Sequence, residues 1–186
     1  FDLMCPRIDL HDPPGSHVNL ATNYAHTLLC RVGTPEAINN RHTFIAGALL
    51  DLIQFCYAGN GQVPVNHTNR EVPVGHRPDG SIIQADIVHM ENSNQPNQIK
   101  YVFDVTIVEP NNRDGIRRPG AGAAVETAAA EKFADYDPVM RQPNTVFVPF
   151  ALDSNGHIGK SATAYLNLLK QRNPAAGSQI KHFLQH

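Results

Sequence analysis

The sequence predicts an α/β domain, a mixed sheet flanked by helices, on three observations. An amphipathic helical stretch precedes several strand-like runs. An alanine-rich helical segment, Ala123–Tyr136, then separates the strand Lys100–Glu109 from the apolar run Thr145–Leu152, the spacing of a right-handed crossover. Finally, 41% hydrophobic and 17% charged residues are the makeup of a globular chain and exclude a disordered one.

The elements follow in order. Residues 1–33 show little periodicity and are rich in Cys, His, Asp and Pro, which suggests a loop-based module held by something other than a core. Thr34-Pro35-Glu36 is a helix start, with Thr as N-cap, Pro at the first helical position and an acid in the first turn. Ile38, Ile45, Leu49, Leu52, Ile53 and Cys56 continue it as an apolar stripe that ends at Ala58-Gly59-Asn60-Gly61. Val63–Val74, interrupted by Pro64 and Pro73, suits an edge strand. Ala85–Met90 and Lys100–Glu109 are two strands joined by the polar stretch Glu91–Gln98, and Asn111–Gly122 is a mobile loop. Ala123–Tyr136 is strongly helical, Thr145–Leu152 a buried strand and Ser161–Gln171 a closing helix. The expected organisation is therefore a small module at 1–33, a core at 34–172 and a tail at 173–186.

Its 186 residues suffice for one ordinary domain with a small appendage. No run approaches the roughly 18 apolar residues of a bilayer span, so no membrane partner is expected. Starting at Phe1 without a signal-peptide pattern, the chain reads as a fragment of a longer protein. Three cysteines are too few for a disulfide framework and point to a reducing compartment. Net charge is −2, but it divides unevenly. Residues 1–99 hold 5 Lys/Arg against 9 Asp/Glu, whereas residues 100–186 hold 10 against 8. Nucleic-acid contact would thus need a local basic patch, for which Arg113, Arg117, Arg118, Arg141 and Lys160 are candidates.

Asp86 and Asp104 carry the chemical argument. Symmetric pairing of their strands about Gln95 sets them directly opposite each other, Cβ atoms roughly 5 Å apart on one face. Two carboxylates that close must share a proton or hold a cation. Asp104 also lies within Tyr-Val-Phe-Asp-Val-Thr-Ile-Val, where an unpaired buried charge would cost several kcal/mol. A divalent ion answers both objections, and the oxygen ligands suit Mg²⁺ or Mn²⁺. The competing structural reading pairs Asp104 with Arg77, or shifts the register so that Asp86 only caps its strand. Lys132 shares a helix face with Tyr136 but not with Glu126. Packed against the metal-bearing strands, it would lower the pKa of an attacking water or stabilise the phosphorane. A solvated lysine is the plain alternative.

These residues resemble a known family. Arg77-Pro78-Asp79 with Ala85-Asp86-Ile87-Val88, then Phe103-Asp104-Val105-Thr106-Ile107-Val108-Glu109-Pro110, look like the core of a PD-(D/E)XK nuclease. With Gly122-Ala123-Ala124, Ala130-Glu131-Lys132, Tyr136 and Val146–Phe150, the string is similar to the restriction-like endonuclease domain of site-specific non-LTR retrotransposons. In that family the lysine has moved from the strand to the following helix. Here Thr106 stands at its usual strand position, and Lys132 is the natural match. Upstream, His26-Thr-Leu-Leu-Cys30 and Asn40-Arg41-His42 resemble the family's zinc knuckle and Arg-His helix start; Ile8 stands where its second cysteine is expected.

The resemblance implies a restriction-endonuclease-like core, Asp86 and Asp104 as Mg²⁺ or Mn²⁺ ligands, Glu71 or Glu126 as a further acid, and Lys132 acting on the nucleophilic water. It further implies a nuclear protein that nicks DNA and frees a 3′-hydroxyl for the element's reverse transcriptase. Arg77, Arg117, Arg118 and Lys160 are the expected DNA contacts. Cys5, His11 or His17, His26 and Cys30 fall within 26 residues and would complete a structural Zn²⁺ site. Otherwise these histidines are solvated and Cys30 is a small buried hydrophobe. Ser154–Ser161 misses the first glycine of a phosphate loop and is set aside, although Lys160 at a helix start suits a DNA phosphate. His42 is assigned to structure ahead of DNA contact. A catalytically silent DNA-binding or docking module, and a junction-resolving or repair nuclease, are the rival functions.

Overall fold

The computed structural model describes residues 35–58, 68–93, 95–108, 122–153 and 156–183. Helix α1 spans Pro35–Ala58, beginning at the proline and ending before the glycine-rich stretch as the sequence indicates. Ile45, Ala46, Leu49, Leu52, Ile53 and Cys56 are buried along one side, each larger side chain contributing about 1.5–3 kcal/mol through burial. Phe44 and Phe55 point outward.

Four strands follow: β1 (Thr68–His76), β2 (Ile82–Glu91), β3 (Ile99–Val108) and, after helices α2 (Ala123–Asp135) and α3 (Asp137–Met140), β4 (Thr145–Asp153). They form one open sheet in the order β1-β2-β3-β4, antiparallel except for the parallel β3/β4 pair across the α2 crossover. The β1–β2 hairpin closes on Pro78-Asp79-Gly80. Gly80 takes φ +85°, which favours glycine, and Asp79 accepts bonds from the backbone N–H and hydroxyl of Ser81. Asp79, part of the motif that carried the resemblance, is thus a turn residue.

Helices cover both faces. On one, α1 and α4 (Lys160–Arg172) enclose Ile87, Tyr101, Phe103, Val105, Val148 and Phe150. On the other, α2 and α3 enclose Val74, Ile83, Ala85, Val88, Val102 and Phe147. The stretch after residue 172 is more than the expected tail. It forms a 3₁₀ turn, Pro174–Ala176, and helix α5, Gly177–Phe183, with Ala176 and Ile180 buried in the main core. Those two apolar residues at i and i+4 give the segment a face to bury. Among the described residues no helix is long and apolar enough to cross a membrane.

β2 changes phase midway. Ala85 and Val88 both face the α2 layer while Ile87 faces α1, which strict alternation forbids. The break falls at Asp86. In β1 the ladder passes from Arg70↔Ile87 to Val72↔Ala85 without a Glu71↔Asp86 pair, and Glu71 takes φ +52°. A left-handed non-glycine residue costs roughly 1–2 kcal/mol, and such strain gathers where geometry serves a site.

Candidate active site

The β2/β3 ladder runs from Glu91↔Ile99 to Ile87↔Phe103 and stops one step short of Asp86 and Asp104. This is the register that symmetric pairing about Gln95 requires, but the strands part where the two acids would meet. The site occupies this fork.

On the β2 side, Asp86 Oδ2 accepts the backbone N–H of Val105 at 2.6 Å and an N–H from His42 Nε2 at 3.0 Å. The first bond replaces a ladder partner: with β2 kinked, the carboxylate takes the amide that a β2 carbonyl would otherwise accept. His42 arrives from α1, and its hydrogen bond to Asp86 raises its pKa against the opposing effect of burial. Asp86 is therefore partly structural, which separates two variants. Asp86→Ala should orphan the Val105 N–H and lower unfolding free energy by about 1–3 kcal/mol. Asp86→Asn keeps an acceptor and should stay near the parent. Equal urea midpoints for the two variants would refute this role.

On the β3 side, Asp104 faces the α2 layer. Lys132 Nζ lies 2.9 Å from its Oδ2 and 3.2 Å from its Oδ1, Thr106 Oγ1 donates to Oδ2 at 3.0 Å, and the Tyr136 hydroxyl lies 3.0 Å from Oδ1. That hydroxyl also reaches the Gln84 carbonyl at 2.6 Å, so its single proton is shared between two acceptors. Burial first, then the charge of Asp104, pushes the Tyr136 pKa far above its ordinary value and keeps the hydroxyl a donor. Side-chain exposure of 11% for Asp104 and 31% for Lys132 leaves the ammonium accessible to a ligand. Lys132 and Tyr136, the C-cap residue one turn further on at the end of α2, meet the same carboxylate. Their shared helix face was legible in the spacing.

The structure joins Lys132, Thr106 and Tyr136 to Asp104, and His42 to Asp86; the two groups are near enough that the charge of Asp104 acts on His42 and that of Asp86 on Tyr136. His42, expected to serve structure ahead of DNA contact, bonds to the Asp86 carboxylate. One signal was available: His42 lies three and four residues before Ile45 and Ala46, so a polar ring continues the apolar stripe. Arg77 is not the partner of Asp104. Its guanidinium donates to Ser81 Oγ and the Ile82 carbonyl, though its charge acts on Tyr136 from nearby. Glu71 sits on β1 with its side chain exposed. Glu126 is engaged elsewhere: its Oε1 accepts the Lys160 backbone N–H at 2.9 Å. It thereby fills the anion position at the start of α4 that the sequence reading reserved for a phosphate, while the Lys160 side chain remains exposed. Arg141 pairs with Asp137. Arg113, Arg117, Arg118 and the zinc candidates Cys5, His11, His17, His26 and Cys30 lie outside the described residues.

No family model matches the chain, and comparisons with curated proteins and with solved structures also return no match.

Proposed function

We propose that this chain is a divalent-metal-dependent endonuclease domain that nicks DNA, serving retrotransposon insertion by target-primed reverse transcription in the nucleus. One observation carries the reading. An ammonium from the helix that follows β3 meets a strand carboxylate, Lys132 to Asp104 at 2.9 Å, in a fork whose other arm presents Asp86. The order of elements from α1 to β4 and the motifs quoted above support the same restriction-like core.

The donor set suits Mg²⁺ or Mn²⁺, which need only one or two carboxylates beside water and phosphate oxygens. Asp86 and Asp104 would hold the ion. Asp86 Oδ1 accepts no hydrogen bond from the described residues, whereas both Asp104 oxygens are shared with Lys132. A bound ion would supply Lewis-acid polarisation of the phosphoryl oxygen and a more acidic water. Lys132 contributes positive charge beside the scissile phosphate, where charge develops in the transition state, and Tyr136 and Thr106 hold Asp104 in place. Hydrolysis forms a bond from water oxygen to phosphorus and breaks the bond to the 3′ oxygen, which leaves as a hydroxyl after gaining a proton. A structural Zn²⁺ in the amino-terminal segment, and the parent protein's reverse transcriptase as partner, belong to the same proposal.

A second reading has one observation in its favour. Asp104 is already satisfied by Lys132, Tyr136 and Thr106, as it would be in a catalytically silent DNA-binding module. Incubating the chain with supercoiled plasmid separates the two. Nicking with Mg²⁺ or Mn²⁺, abolished by chelation and leaving 3′-hydroxyl ends, is expected. DNA binding without cleavage in any divalent metal favours the silent module. Preference for a four-way junction over linear duplex identifies a resolving nuclease instead.

A further inference from the structure

We infer that His42 is a positioning residue for the metal centre, and that it works by committing one oxygen of Asp86 so that the other is left for the ion. The inference rests on the metal-site reading above and extends it to a residue on a different element.

Its basis is how the hydrogen bonds divide on Asp86. Both described donors, Val105 N–H at 2.6 Å and His42 Nε2 at 3.0 Å, converge on Oδ2. None of the described residues donates to Oδ1. A carboxylate held by a single amide can still swing about χ2; a second donor at the same oxygen, from another direction, fixes the plane of the group. The two donors belong to elements that cannot drift independently. Val105 is a central-strand residue paired to Phe150 of β4. α1 is anchored within two turns of His42 by Ile45, Ala46 and Leu49, all buried. The strain recorded at Glu71, the residue of β1 beside Asp86, fits a kink held so that this carboxylate turns into the fork instead of continuing the pleat.

Two features distinguish this role from filling space. The imidazole is 38% exposed, so it adds little to the core. It also touches Asp86 through a ring N–H, and orientation of a ligand by such an outer partner typically changes metal affinity by about 10–100-fold. His42→Met keeps bulk without a donor, and His42→Gln restores an amide N–H.

The test is Mn²⁺ binding to the full chain, read from the electron paramagnetic resonance signal of free Mn²⁺, without DNA and well below the melting temperature. His42→Met should weaken binding by about 10–100-fold, and His42→Gln should recover most of the loss. In an Asp86→Asn background His42→Met should have no further effect, because the position that His42 leaves free for the ion is no longer a carboxylate oxygen. A parent-like affinity for His42→Met overturns the inference while leaving the metal site standing. An equal loss in the Asp86→Asn background also overturns it, since His42 would then act elsewhere. A parent chain that binds no Mn²⁺ sinks the metal site and the inference together. Circular dichroism checks each fold, and His42→Ala replaces His42→Met if the latter misfolds.

Discussion

Lys132→Met is expected to reduce metal-dependent nicking by about 10²–10³-fold, the usual cost of removing one preorganised donor aimed at developing charge, while the domain stays folded. The two halves of this expectation have separate physical grounds. Activity falls because Lys132 is the described cation closest to Asp104, at 2.9 Å, and the thioether of methionine cannot replace its charge. The fold survives because Asp104 is not orphaned: Tyr136 and Thr106 still donate to it at 3.0 Å each. Asp104 is itself buried at 8% exposure, so some stability is lost, but the two remaining donors keep the cost below the roughly 3–5 kcal/mol of stranding a buried charge. The loss should appear in kcat more than in KM, since charge stabilisation made mainly in the transition state lowers kcat and kcat/KM together. Lys132→Arg should recover only part of the rate, because a planar fork is not a point charge. Nicking by Lys132→Met at the parent rate would remove Lys132 from the chemistry and leave the silent-module reading in its place.

The register of β2 and β3 was legible because it follows from strand length and alternation alone, and pairing through Ile87↔Phe103 obeys it. What the sequence concealed is the departure one residue later. Nothing in Val-Pro-Val or Gln-Ala-Asp announces that Glu71 takes φ +52° or that Ala85 and Val88 share a face. That kink is a tertiary compromise between α1, which pulls Ile87 toward itself, and the α2 layer, which holds Ala85. The shared role of Lys132 and Tyr136 was readable from a spacing of four on a helix, because helical periodicity is local. The reach of His42 to Asp86, 44 residues away, depends on how α1 crosses the sheet, and no local pattern encodes that. Glu126 shows the same limit: its separation from Lys132 ruled out a shared face, but its contact with the start of α4 arises only when two helices meet. Residues 173–183 were underread because a short helix with two buried positions leaves too little periodicity to separate it from a loop.

The largest expected loss of stability lies at the other end of the sheet. Arg172→Met should lower unfolding free energy by about 3–5 kcal/mol, the cost of leaving a buried charge without its partner. Glu91, the last residue of β2, is buried at 5% exposure. Its Oε1 pairs with Arg172 Nη2 at 2.5 Å, and Tyr57 donates to its Oε2 at 3.3 Å. The guanidinium also stands 5.5 Å from the centre of the Tyr57 ring, so one side chain at the end of α4 ties together β2 and the end of α1. Methionine keeps much of the arginine stem, leaving charge and hydrogen bonding as the principal losses. Glu91→Gln in the same chain removes the stranded charge and should recover a large part of the difference, as coupled partners in a double-mutant cycle do. Thermal unfolding offers a direct check, since 3 kcal/mol in a domain of this size corresponds to about 6–12 °C. A shift of a degree or two for Arg172→Met would show that water reaches Glu91 after all. Because Glu91 pairs with Ile99 while Asp86 and Asp104 lie where that ladder ends, Arg172→Met should leave Mn²⁺ affinity unchanged below its lowered melting temperature. Scaffold and candidate site would thus be separable by experiment: a change at Arg172 moves stability, and a change at Lys132 moves rate.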